Sequence, residues 1–131
     1  KVTDKDIKIC LKNFYSTKNI SLLHSPMTYN IFELNLDRIN YLKKKFKINV
    51  GYGNHNNDKE SLNIVSSYNP HCLFLYCKPK RKKGRIYPDD KHAFYFDEIE
   101  EISKKYTKYS KINKNYKKIK KINIFANEFK F

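Results

Sequence analysis

The residues best suited to chemistry are Gly51-Tyr52-Gly53-Asn54-His55, where an apolar run from Ile48 stops at a glycine and a polar pair. A helical pattern restarts at once from Asn57. A strand that ends in Gly-Asn-His and passes straight into a helix is a common way for an α/β protein to place a metal ligand or general base, because ligands collect at the carboxyl ends of parallel strands. The plain alternative is a βα turn carrying a solvated histidine. Asp89-Asp90 and Asp97-Glu98 pair carboxylates, the second pair in a place that suits a helix N-terminus. No Walker loop, G-x-G-x-x-G, H-E-x-x-H or Ser-His-Asp order is present. For His24 the spacing predicts packing or a hydrogen bond, and for His71 and His92 no partner is evident.

The elements around this stretch follow from periodicity. Ile7, Cys10, Leu11 and Phe14 predict a helix over 4–15 with Thr3 and Asp4 as caps. Residues 19–24 predict a strand, closed by a loop at Pro26. Leu36, Ile39, Leu42 and Phe46 predict a helix whose outer face holds Lys43, Lys44 and Lys45. A strand over 48–53 follows, then a helix through Leu62, Val65 and Tyr68 that starts on Asn57 and Glu60 as a capping box. Residues 71–77 form a continuous apolar strand of the kind buried on both faces. Phe96, Ile99, Ile102 and Tyr106 mark a last helix, with Phe96 in the core. The alternation α-β-α-β-α-β-α argues for an α/β fold with a parallel sheet and crossover helices.

With 131 residues, the chain has room for one domain. No apolar run approaches the roughly 18 residues that span a bilayer, so no membrane partner is expected. The chain opens on Lys1 rather than Met, which leaves a preceding segment open. Cys10, Cys72 and Cys77 make no C-x-x-C pair, and reduced, buried, cytoplasmic thiols are the expectation. The net charge of +15 invites a nucleic-acid reading. The heavy use of Lys, Asn, Ile and Tyr, however, is the mark of an A/T-rich coding bias, so nucleic acid is not the expected partner. Six of the eight residues 78–85 are basic, as an anion-binding loop or a mobile solvated one would be. The nine lysines between Lys104 and Lys121 are read as a linker, and 122–126 as an isolated strand.

The order of motifs Leu22-Leu23-His24, Tyr29, Val50-Gly51-Tyr52-Gly53-Asn54-His55, Pro88-Asp89-Asp90 and Phe96-Asp97-Glu98-Ile99 resembles the sialic acid synthase family, which also makes related bacterial nonulosonic acids. That family has a Leu-Leu-His-Cys strand end, a tyrosine five residues after the histidine, a Gly-Tyr-Ser-Asp-His-Thr strand end, a Gly-Pro-Asp loop and a Pro-Asp-Glu-Phe helix start. The spacing is similar throughout 3–107. The resemblance implies a partial (β/α)8 TIM barrel, with three parallel strands as its sixth to eighth. A complete barrel needs roughly 250 residues. Residues 1–107 would be the partial synthase-like domain, and 108–131 a basic linker with the start of a C-terminal antifreeze-like domain.

The implied activity is a transferase reaction of carbohydrate biosynthesis. Phosphoenolpyruvate condenses with an N-acetylmannosamine-type sugar, assisted by a divalent metal, Mn or Mg, that polarises the aldehyde as a Lewis acid. By the same resemblance His55 is a metal ligand, Tyr29 contacts phosphoenolpyruvate or the metal site, Asn54 stands where the family has Asp, and Asp89 (or Asp90) holds the sugar. The second metal histidine falls at Tyr76, the phosphate-binding serine at Gly53 and an asparagine of the phosphoenolpyruvate site at Met27. A phenol is a poor ligand for a divalent ion at pH 7, so weak Mn²⁺ binding and no turnover are expected of the chain alone. Its open sheet would need the missing half-barrel or a second copy. The alternatives are a basic polyanion-binding or nucleic-acid-binding module, using 78–85 and the lysine tail, and a degenerate remnant without chemistry.

Overall fold

The computed structural model describes residues 2–14, 20–80, 86–87, 89–112 and 123–126, the last four by backbone alone. The fold is α/β: α1 (Asp4–Asn13), β1 (Ser21–His24), α2 (Asp37–Phe46), β2 (Asn49–Gly53), α3 (Lys59–Ser67), β3 (Leu73–Lys78), β4 (Phe94–Tyr95), α4 (Phe96–Ile112) and β5 (Asn123–Ala126). β1 pairs with β2, β2 with β3 and β3 with β4, and every described pairing is parallel. Leu23 sits opposite Gly51, Tyr52 opposite Leu73, and Cys77 opposite Phe94. One strand, β4, was not expected. β4 has two residues, too short for any alternation to show. Residues 123–126 are not an isolated strand, because they pair with β3 from Phe74↔Asn123 to Cys77↔Ala126. An unpaired strand edge is a row of unsatisfied backbone groups, and a short apolar run satisfies it.

The local chemistry explains most boundaries. The Thr3 side chain caps α1 and the Asp6 carboxylate reaches back to the Thr3 amide at 2.7 Å, a complete capping box. α2 ends where Lys47 turns left-handed (φ 52°). α3 is capped by Asp58, which accepts from the Glu60 amide, rather than by Asn57. The preceding turn is held by Asn56, whose Oδ1 accepts from the Asp58 amide at 3.0 Å. An Asx side chain that bonds two residues ahead fixes such a turn.

The core lies between the sheet and one layer of helices. Val50, Tyr52, Leu73 and Leu75 point from the strands into it, against Ile39 and Leu42 of α2, Leu62 and Val65 of α3, and Ile99, Ile102 and Tyr106 of α4. Strand side chains alternate between faces. The opposite face is therefore made of Leu23, Gly51, Gly53, Phe74 and Tyr76, none of them in that core. Gly51 is required there: a Cβ on it would lie 2.4 Å from Cys72 Sγ and 3.1 Å from Leu23 Cδ1.

Several surface expectations are corrected. Lys43 does not lie on a free outer face. Its Nζ donates to the Tyr68 and Asn69 carbonyls, both at 2.7 Å, where the C-terminus of α3 presents its negative end. Lys45 reaches Asp4 at 2.5 Å, as Arg38 does at 2.8 Å. Lys45, with Tyr41 and Arg38, holds the Asp4 carboxyl well below the usual carboxylate range. Cys10 is exposed and the other two thiols are half-buried, because the α1 stripe buries only Ile7. Phe96 is half exposed, since α4 turns its apolar stripe inward only from Ile99. The lysine-rich stretch from Lys104 is helical through Ile112, with i,i+4 pairs Glu100–Lys104 and Glu101–Lys105 on its surface. The rest of the proposed linker, residues 81–85 of the basic loop and Pro88 lie outside the described residues. No helix among the described residues is long and apolar enough to cross a membrane.

Candidate functional site

Side chains from the carboxyl ends of β1, β2 and β3 and the loops after them meet the segment 89–93 that leads into β4, and His92 is the residue around which they gather. Tyr29, in the loop after β1, puts its hydroxyl 3.4 Å from His92 Nδ1. His55, two residues past β2, places its ring centroid 5.0 Å from that of His92. Tyr76, on β3, stands edge-on to His92 at 4.6 Å and lies 5.2 Å from His55. Asp89 sits in the left-handed region (φ 59°), a conformation that Asp tolerates. Its carbonyl accepts the amides of His92 at 3.0 Å and Ala93 at 2.9 Å. That turn brings Asp89 Oδ1 within 3.5 Å of His92 Nε2, inside ion-pair reach without a hydrogen bond.

Four of the five expected residues thus gather at one place. The fifth does not. Asn54 is fully buried; its side-chain amide nitrogen donates to the Asn56 carbonyl, and its Oδ1 has no hydrogen-bond partner among the described residues. Its backbone amide bonds to the Phe74 carbonyl at 3.0 Å, so it closes the β2–β3 ladder. Asn54 is placed to shape the strand end rather than to reach a ligand.

His92, read from the sequence as having no partner, is the centre of the cluster. It is 7% exposed. Burial pushes its basicity down, and the neighbouring His55 and Lys78 push the same way against the pull of Asp89. The ring is therefore neutral near pH 7. Its signal in the sequence was faint: it lies three residues after Asp89 and two before a strand too short to recognise.

Lys78 was read as the first residue of a solvated basic loop. It is instead the last residue of β3 and is buried. Its Nζ donates to the Asp90 carboxylate and carbonyl, both at 2.7 Å, and lies 4.7 Å above the centre of the Tyr95 ring. This separates the two aspartates left open by the sequence. Asp90 anchors the segment, and Asp89 faces the imidazole. His24 is structural, as its spacing predicts. Its Nε2 donates to the Leu34 carbonyl at 2.8 Å, and burial lowers its basicity. The Tyr52 hydroxyl is buried without a hydrogen-bond partner among the described residues, and burial pushes its pKa up to about 12. His71 is exposed.

At Gly53 a Cβ would fall 2.6 Å from Ser25 Oγ and 3.1 Å from Ser25 Cβ. Ser25, which donates to the Gly53 carbonyl at 3.3 Å, fills the space that a side chain at 53 would take. The hydroxyl is present at this strand end, but from the neighbouring strand. Met27 is exposed. An open depression of about 490 Å³ along α4, lined by Ser103, Lys104, Thr107, Lys108 and Lys111, involves none of these residues.

The donor set that the resemblance implies for Mn or Mg does not fit. The rings at 55 and 76 are neighbours, but one is a phenol. Among the described residues, no group of three or more His, Cys, Asp or Glu side chains is placed to hold a metal ion. No family model, no curated protein and no solved structure matches the chain. The class defined by fold and site is an α/β protein with a parallel sheet, its candidate site at the carboxyl ends of the strands.

Proposed function

We propose that this chain is part of a (β/α)8 barrel of the sialic-acid-synthase kind, with β1, β2 and β3 as sixth, seventh and eighth strands. In this reading it supplies the sugar side of a site that condenses phosphoenolpyruvate with an N-acetylmannosamine-type sugar. The observation that carries the reading is the gathering of Tyr29, His55, Tyr76 and Asp89, from four separate segments, around one buried ring. A second feature supports a barrel over a doubly wound sheet. The core packs on one face of the sheet, and the other face carries glycines and partly exposed apolar side chains. In a barrel that second face is the interior, filled by the remaining strands. The far edge of β3, which a closed barrel gives to its first strand, is held here by β5. Closure would therefore require β5 to leave.

Within such a site the Asp89 carboxylate accepts hydrogen bonds from sugar hydroxyls, and the rings of Tyr29 and Tyr76 offer apolar faces to a pyranose. Ser25 offers the hydroxyl that position 53 lacks. The reaction joins the methylene carbon of phosphoenolpyruvate to the sugar aldehyde carbon; water adds and phosphate leaves. The chain by itself is a site without its phosphate-binding half, so binding rather than turnover is the test. Titration with N-acetylmannosamine, followed by NMR, should shift the signals of Tyr29, Tyr76, Asp89 and His92 with a Kd of about millimolar, near −4 kcal/mol, and leave α4 unmoved. No localised shift, or the same shifts with glucose, would refute the sugar assignment.

A further inference from the structure

Lysine is plentiful in this chain, but a coding bias supplies lysines without arranging them. Along α4 the charges are sorted. Asp97, Glu98, Glu100 and Glu101 fill its first turns, and from Ile102 to Asn127 the sequence has nine lysines and neither Asp nor Glu. The open depression of about 490 Å³ lies on this second part of the helix, lined by Ser103, Lys104, Thr107, Lys108 and Lys111. Residues three and four apart share a helix face, so these five form one surface. Ser103 and Thr107 are half-buried and the three lysines are exposed, which puts two hydroxyls at the floor and three ammonium groups at the rim. Ser66 and Ser110 turn their hydroxyls back onto carbonyls of their own helices; those of Ser103 and Thr107 bond to no described residue. Lys104 pairs with Glu100 one turn back, an exposed pair of the kind that contributes little and exchanges readily. Lys108 and Lys111 make no ion pair among the described residues. The negative end of the helix accounts for a cation in the last turn, such as Lys111, but its effect fades before Lys104.

We infer that this face of α4 binds the phosphate backbone of a nucleic-acid duplex without reading its sequence. Lysine and the Ser and Thr hydroxyls are side chains that hold phosphate oxygens. From Lys104 to Lys111 the helix rises about 10.5 Å, and the phosphates of one strand recur about every 3.4 Å along a duplex. The row of three lysines therefore meets about three phosphates. Single strands are held by stacking on aromatic rings as well as by charge, and no aromatic side chain lines the depression. A helix that lies on a bilayer sinks an apolar face into it, but the apolar stripe of α4, Ile99, Ile102 and Tyr106, is already buried in the core. The charge, the hydroxyl floor and the missing rings together favour a duplex over either alternative. The face shares no residue with the sugar reading, so each can fail without the other.

The test is a titration of a fluorescent random-sequence DNA duplex with the full 131-residue chain, followed by anisotropy from about 50 to 200 mM salt, a range over which phosphate contacts dominate the change in affinity. Each phosphate contact adds about 0.9 to the slope of log K against log salt. The triple variant Lys104→Gln/Lys108→Gln/Lys111→Gln should make the slope shallower by about 2.7, a difference of about fortyfold across that range. The control Lys5→Gln/Lys8→Gln/Lys12→Gln removes three exposed lysines of α1 and the same net charge, and it should keep the original slope. Ser103→Ala/Thr107→Val should weaken binding at every salt concentration with the slope unchanged, because a neutral donor releases no counterion. That pair decides the matter even if the triple variant loses its helix. No binding at the lowest salt, or equal loss of slope in the two triple variants, would overturn the inference. So would tighter binding to an unpaired strand or to phosphatidylserine vesicles than to the duplex.

Discussion

Phe94→Ala should remove a large share of this protein's stability at 25 °C. Phe94 is 2% exposed, pairs with Cys77 across β3–β4, and belongs to the same apolar core as Leu75 and Ile102. Truncating a buried phenylalanine costs about 3–5 kcal/mol, from lost transfer energy and from the cavity left behind. Domains of this size hold only about 5–15 kcal/mol in total. Thermal or urea unfolding checks the loss directly. Phe94→Leu, which keeps most of the volume, should retain a cooperative transition at a cost below about 1.5 kcal/mol. Because Phe94 lies two residues after His92, the Ala variant should also release the imidazole from Tyr29 and Tyr76, whatever stability remains.

Lys78→Met should have the next largest effect, and it separates stability from site geometry. Methionine keeps the apolar stem and removes the ammonium. Two hydrogen bonds to Asp90 and the stacking over Tyr95 go with it. Removing one member of a fully buried ion pair costs about 3–5 kcal/mol. Asp90 is one-third exposed, so water takes over part of the role and about 2–3 kcal/mol is the expected loss. The segment containing Asp89 and His92 is tied to β3 through this contact. The contacts of the His92 ring to Tyr29 and Tyr76 should therefore weaken in Lys78→Met although none of these three side chains is altered. Lys78→Arg, which keeps the charge, should recover part of both. Equal stability in all three proteins would mean that Lys78 does not anchor the segment.

The sequence was most legible where periodicity and turn chemistry act locally. α1, α2, α3 and the three strands lie within a few residues of their expected limits, because capping residues, glycines and prolines set those limits without help from the rest of the fold. The parallel order followed from the alternation of helix and strand. The departures have a common cause, which is that the partner is distant in the chain. Lys43 and Lys78 look solvated in sequence because lysine usually is, yet each finds acceptors 12 or more residues away. β4 and the pairing of β5 both depend on β3, which bonds one of them on each edge. His92 has four neighbours, Tyr29, His55, Tyr76 and Asp89, of which only Asp89 is near in sequence. Spacing alone could bring the four together through a resemblance, but it had no means of finding the ring at their centre.

The claim that the strand ends gather around His92 has a direct measurement. In a nuclear Overhauser spectrum of the chain labelled at His and Tyr, ring protons of His92 should show cross-peaks to Tyr76 and His55, whose centroids lie 4.6 and 5.0 Å away. Those of His24 should contact Tyr52 instead, at 6.1 Å between centroids. The pattern should vanish at His92 in Lys78→Met while persisting at His24. A His92 ring that shows no contact to Tyr76 or His55 in the native chain would contradict the site as described.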